Sequence, residues 1–205
     1  TPLALIMGYG EQLAQQAPPQ SQQQKKAAAI CTQSQKIKSL IEDLNLTFKL
    51  QYNAQPLRRT AVFMGAWLRQ SVADFCDSLG ENYSVGLQIR EPAGQAVLDA
   101  DRELLTRALD NLLNNSVRHN PGGCDIQVAA ELADGRFVLT VQDNGAGYPE
   151  AVLRNLSGTD GPNAPHILGL HLVQQIAAAH NGEAGFCNDG GAVAVLKFAV
   201  QEAAK

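Results

Sequence analysis

Two short stretches, Asn111-Leu-Leu-Asn-Asn115 and Asp143-Asn-Gly-Ala-Gly147, bring together an acid, two glycines and a pair of amides. Asn is a poor helix former, and at mid-helix positions it cannot cap, so Asn111 and Asn115, four residues apart on one helical face, ask for an external ligand. An amide oxygen is a hard donor suited to Mg²⁺, which takes one or two protein ligands and fills its shell with phosphate and water. The plainer reading of the same pair is two solvated surface residues. Arg118 and His119 follow at the helix end, a cation able to reach phosphate and a flat ring able to lie beside a purine. No second His or Cys stands at a spacing that would make His119 a metal ligand.

Asp143 follows an apolar run, Phe137 to Val141, and so emerges at a strand end, where open sheets bind ligands. An ionised carboxylate only accepts hydrogen bonds, and the exocyclic amino group of adenine is a matching donor. Gly145 and Gly147 permit positive φ and close backbone approach. The competing reading is a hairpin turn, for which Asp-Asn-Gly is a common sequence. Further on, Gly169-Leu170 opens a helical pattern whose first N–H groups could receive phosphate oxygens.

These residues need a scaffold, and periodicity divides the chain near Pro56. In residues 1–55, Leu3, Ile6, Tyr9 and Leu13 share one helical face; after a polar break at Ala17 to Gln24, Ile30, Ile37, Leu40, Ile41, Leu44 and Phe48 share another. A lone two-helix hairpin would leave half of such a stripe in water, so a partner hairpin and a dimeric four-helix bundle are expected. Packing of these helices on their own downstream domain is the alternative. Residues 56–205 read as mixed helix and strand. Helices are expected from Phe63 to Leu79, from an Asp101 cap through Leu104, Leu105, Ala108, Leu109 and Leu112, and from Gly169 to His180. Strands are expected at Ser84 to Arg90, Ala96 to Leu98, Asp125 to Ala130 and Arg136 to Gln142, with a closing pair from Glu183 to Val200 turning at Asp189-Gly190-Gly191. The fold class is α+β: a helical hairpin, then an α/β sandwich with helices on one face of a mixed sheet.

Composition excludes several classes. A chain of 205 residues with 45% apolar content can bury a real core. A net charge of -4, with its cations dispersed, argues against a nucleic-acid surface. Cys31, Cys76, Cys124 and Cys187 show no metal or disulfide spacing, which fits a reducing, cytoplasmic setting. No apolar run reaches the ~18 residues of a membrane span, and no signal peptide opens the chain.

In this order and spacing the motifs resemble the kinase core of sensor histidine kinases, in the superfamily that also holds DNA gyrase, the Hsp90 chaperones and MutL. Thr1-Pro-Leu-Ala-Leu-Ile-Met-Gly-Tyr looks like the tail of the H box, Ile41-Glu-Asp-Leu-Asn-Leu like the second dimerisation helix, and Asn111 to Pro121 like the N box. Asp143 to Gly147 looks like the G1 box and Gly169-Leu-His-Leu-Val173 like the end of the G2 box. The resemblance implies a Bergerat-type sandwich over 56–205 behind a dimerising hairpin over 1–55, with ATP and Mg²⁺ as cofactors. It implies that Asn111 and Asn115 hold Mg²⁺ and the triphosphate and that Arg118 approaches the phosphates. His119 would flank the nucleotide, Asp143 would read adenine, and Gly145, Gly147, Gly169 and Leu170 would line the pocket. Thr1 matches the family's threonine implicated in dephosphorylating the response regulator. The family's phosphoacceptor His lies three residues ahead of that Thr-Pro, so a truncation within the H box is expected, leaving a fragment that does not autophosphorylate. Implied partners are a second copy, through residues 1–55, and a response-regulator receiver domain. The localisation implied is cytoplasmic, with an upstream membrane sensor in most members of the family.

Where gyrases carry a water-activating Glu, four residues before the metal-binding Asn, this chain has Asn111, which favours a kinase over an ATPase. A chaperone or mismatch-repair ATPase would need that Glu and a large transducer domain. Two features depart from the family. Ala164-Pro165-His166-Ile167-Leu168 replaces a run of glycines in the lid, and Val152 to Gly161 lacks the aromatic F box. The glycine-poor lid favours a second reading, a degenerate kinase that serves as a dimeric scaffold. His166 and His171 read as lid and helix-surface residues.

Overall fold

The computed structural model describes residues 2–52, 54, 56–157 and 167–200. Thr1 and the glycine-poor segment through His166 fall outside the described residues. By its internal contacts the chain forms two compact units, Thr1–Phe48 and Lys49–Lys205.

The first unit is built on two helices, α1 (Pro2–Gln16) and α2 (Gln22–Gln51). Ser21 restarts the helix: its Oγ accepts from the Gln24 N–H at 3.1 Å, while Gln24 Oε1 accepts from the Gln20 N–H at 2.7 Å. Small residues stand where the two helices meet. A Cβ added at buried Gly10 would stand 2.7 Å from Cys31 Sγ, which itself reaches the Met7 carbonyl at 3.8 Å. Ala27 and Ser34 are buried as well. Ile6, Tyr9 and Leu13 of the first stripe and Ile30, Ile37, Leu40, Ile41, Leu44 and Phe48 of the second are exposed, while Leu3 is half-buried.

The second unit holds a five-stranded sheet in the order β2 (Tyr83–Ile89), β4 (Cys124–Ala133), β5 (Arg136–Asp143), β7 (Ala192–Ala199), β6 (Glu183–Asn188). β2 runs parallel to β4, and the remaining pairs are antiparallel, so the sheet is mixed. Along β4, buried Cys124, Ile126, Val128 and Ala130 alternate with less buried Asp125, Gln127 and Ala129, which gives the sheet one apolar face. Contacts from α4 (Arg102–His119) and α6 (Leu168–Ala179) reach β4 to β7. Leu105, Leu109, Leu112, Ile126, Phe137, Leu172 and Ile176 are fully buried. α3 (Met64–Cys76) is fixed to α4 by Trp67 Nε1, which donates to Thr106 Oγ1 at 2.9 Å.

Two elements escape the sequence patterning. β1 (Thr60–Phe63) pairs with β3 (Val97–Ala100), but only Val62 of its four residues is buried, so it has no alternation to read. α5 (Glu150–Leu156) is seven residues long with none buried, too short to show a helical period. The expected Asp101 cap is present: its carboxylate accepts from Leu104 N at 3.3 Å and from Arg58 N at 2.9 Å. The Asp101 N–H donates to His180 Nε2 at 2.9 Å, and His180 Nδ1 meets the Ile176 carbonyl at 2.7 Å, so the neutral Nδ1–H tautomer satisfies both contacts. Burial pushes the His180 pKa below the ordinary imidazole value.

Candidate functional site

α4 owes its length to the Asp101 cap and an unbroken apolar stripe, and it ends at Asn120, ahead of Pro121 and two glycines. On its half-buried flank stand Asn111 and Asn115; Arg118 and His119, in the last turn, are exposed. Asn111 turns Nδ2 back to the Arg107 carbonyl at 2.9 Å, and a Cβ added at Gly169 would meet Asn111 Oδ1 at 2.7 Å. The amide oxygen of Asn111 is therefore brought against the first turn of α6. That helix starts at Leu168, with Ile167 in the cap position, so Gly169 is its second residue.

Asp143, the last residue of β5, is 3% exposed. Three donors offset the cost of burying its carboxylate: Oδ1 accepts from Gly145 N at 2.9 Å and from Ala192 N at 3.2 Å, and Oδ2 accepts from Ser116 Oγ at 2.8 Å. The segment after it is no hairpin turn, since β5 pairs with β4 and β7 and the chain goes on to α5. Asn144 clips this segment to the start of β4, its Oδ1 accepting from Asp125 N at 2.9 Å. Gly145 lies against Asn120 Oδ1, leaving no room for a side chain, and Gly147 has φ +81° beside Asn188. Asn188 grips the next residue, Tyr148, accepting from its N–H at 2.7 Å and donating to its carbonyl at 2.9 Å. Tyr148 stacks edge-on against Phe186, and burial, then the Asp143 charge, raise its hydroxyl above the ordinary phenol range.

These elements enclose a cavity of about 310 Å³. Of the residues singled out in the sequence, Asn115, His119, Asp143, Gly147 and Leu170 line it together. Asn111, Arg118, Gly145 and Gly169 do not line it; Asn111 and Gly169 face each other, and Gly145 shapes the loop through Asn120. Sequence reasoning passed over Ser116, Asn120, Tyr148, Val152 and Ala192. Ser116 carried a signal, since it lies one turn beyond Leu112 on the buried face, where a hydroxyl needs a partner. Ala192 carried none, because it acts through its backbone N–H.

A mostly apolar cavity with a carboxylate, Asp143, and an amide, Asn115, in its lining has the make-up of a small-molecule site. Residues 100–202 match the family described as histidine kinase-, DNA gyrase B-, and HSP90-like ATPases. The chain belongs to this family. The sensor histidine kinase YvrG of Bacillus subtilis is 31% identical over 192 residues, covering 89% of this chain and 33% of that protein. The chain spans about a third to two fifths of the length of the curated relatives it matches. Among solved structures, full-length ShkA in complex with AMPPNP has a TM-score of 0.77 at 22% identity, covering all of this chain and 44% of ShkA. Histidine kinase ThkA in complex with the response regulator protein TrrA has a TM-score of 0.70 at 17% identity, covering 97% of this chain and 57% of that one. These likenesses establish the α+β fold with its mixed sheet.

For Mg²⁺ the donors present fit. Asn115 lines the cavity and Asn111 points its amide oxygen away from its own helix, a hard-oxygen set of the small number that Mg²⁺ uses. Among the described residues no cluster of His, Cys, Asp and Glu offers a competing metal site. No described helix is long and apolar enough to cross a membrane.

Proposed function

We propose that the chain is the kinase core of a two-component sensor histidine kinase, which binds Mg-ATP and directs its γ-phosphoryl group to a histidine for relay to a response-regulator Asp. The observation that carries this reading is Asp143, a buried carboxylate anchored by three donors, in the lining of a cavity that Asn115 and His119 also line. Asp143 accepts the adenine amino group, Tyr148 and Leu170 flank the ring, and His119 closes the outer edge. Asn111 and Asn115 would hold Mg²⁺, which when bound neutralises phosphate charge and orients the γ-phosphoryl group. Arg118, exposed in the last turn of α4, swings toward the phosphates. Gly169 lets the first turn of α6 approach Asn111 and the triphosphate.

Catalysis then rests on positioning and charge. The attacking imidazole nitrogen bonds to the γ-phosphorus as the bond to the bridging oxygen breaks and ADP leaves. Hydrolysis is slow in this scheme, because Asn111 is an amide and cannot act as a general base. The exposed stripes of residues 1–55 support a homodimer, in which two hairpins cover each other's Ile37, Leu44 and Phe48. Thr1 falls to the phosphatase reaction and a receiver domain to the hairpin, both by resemblance alone.

The test is calorimetric titration of the chain with a non-hydrolysable ATP analogue, with and without Mg²⁺. Binding strengthened by the metal supports the kinase core. No binding at millimolar nucleotide overturns it in favour of the dimeric scaffold, the reading that the Ala164-Pro165-His166 lid sequence favours.

A further inference from the structure

The Asp143 carboxylate has about four lone-pair positions, and their use is unequal. Oδ1 has both filled, by the N–H groups of Gly145 and Ala192. Oδ2 has one filled, by Ser116 Oγ at 2.8 Å. One lone pair therefore remains for a ligand, and the direction in which it points is set by Ser116. The serine is itself held. It is 4% exposed, its carbonyl accepts from Asn120 Nδ2 at 2.8 Å, and that Asn120 side chain abuts Gly145 in the loop leaving Asp143.

A serine hydroxyl has a single hydrogen. In a helix it commonly goes to the carbonyl one turn back, but here it is committed to Asp143. What Asp143, held in this way, presents to the cavity it lines is thus an acceptor floor only, the last lone pair of Oδ2. A 6-amino purine offers hydrogens to such a floor, whereas a 6-oxo purine sets an oxygen against it. Water taking the place of the serine hydroxyl could turn either a hydrogen or a lone pair toward the base and would blunt the distinction.

We infer that Ser116 is a positioning and specificity-determining residue, which orients Asp143 and makes the site select a 6-amino over a 6-oxo purine nucleotide. This rests on the nucleotide reading above and deepens it.

The experiment measures the Kd of ATP and of ITP, each with Mg²⁺, by calorimetry on the full chain and on its S116A and S116T variants. The ratio of the two constants is read within each preparation, so partial unfolding of a variant cancels. The wild type should prefer ATP. S116A should narrow that preference about tenfold, the scale of one hydrogen bond to a charged group, and S116T, which keeps the hydroxyl, should restore most of it. If S116A weakens ATP and ITP equally, the serine is merely structural and the inference fails alone. A wild type that binds both nucleotides equally overturns it too. A wild type that binds neither removes the nucleotide reading along with it.

Discussion

Leu109 of α4 is 1% exposed and Ile37 of α2 is 49% exposed, although both belong to helices whose apolar residues recur at threes and fours. In the second unit the sheet offers a complementary apolar face, and α4 and α6 bury their large residues within one chain. In the first unit small residues take the inner seam, Gly10 against Cys31, and the large ones face outward. The same pattern therefore means a finished core in one region and an unfinished one in the other. An apolar stripe shows that a face is to be covered, not by what.

The sharpest way to break this contrast is to delete side chains on each side of it. Leu109→Ala should cost about 2 to 5 kcal/mol in denaturant unfolding of the second unit, from lost burial plus a cavity. Ile37→Ala, measured at concentrations where the chain is monomeric, should stay within about 0.5 kcal/mol of wild type. Equal costs would mean that Ile37 is part of a core after all. A double substitution, Ile37→Glu with Leu44→Glu, addresses what covers the outward stripe. Sedimentation at micromolar concentration should change from dimer to monomer while the second unit keeps its melting transition; a wild type already monomeric there would refute the four-helix bundle.

The cavity proposed to hold the nucleotide is lined by residues of the second unit. Asp143→Asn should weaken ATP binding by about tenfold or more, since it replaces a charged acceptor by an amide, and should leave dimerisation untouched. Unchanged affinity would remove Asp143 from the site.

Acid should separate the two units more gently. All four histidines lie in the second unit, and buried His180 has its pKa lowered. The unfolded chain, with its imidazole near 6.5, then binds a proton before the folded one does. His180 stabilisation is complete above that value and is lost as pH falls from there toward the lowered folded pKa. The second unit should lose melting temperature over that range, and His180→Gln should flatten the slope. The smallest effect is expected at the sheet surface. Arg136 and Glu183 pair at 2.8 Å with both side chains largely exposed, and Glu183→Gln should leave the melting temperature within measurement error.

How much of this was legible differs element by element. α4 could be read nearly to its ends, because a capping Asp, a long apolar stripe and a terminating Asn-Pro-Gly-Gly agree with one another. The closing pair β6 and β7 and its glycine turn were legible for the same reason. β1 and α5 were not, since four and seven residues hold too little periodicity to tell from a loop. In the site, Asn115 and Asp143 stood out because amides in a helix and an acid at a strand end are conspicuous. Their partners did not.

Residue types and spacing alone determined the α+β class, the hairpin ahead of a mixed sheet, and the candidacy of Asn111, Asn115 and Asp143 for nucleotide and metal. These follow from local propensity and from chemistry that each side chain carries with it. Only the tertiary structure decided that Ser116 and the Ala192 N–H hold Asp143, that Asn120 shapes the loop beside it, and that the hairpin turns its large residues outward. A hydrogen bond between residues 27 or 49 positions apart leaves no periodic trace, because it depends on where distant strands and helices come to rest.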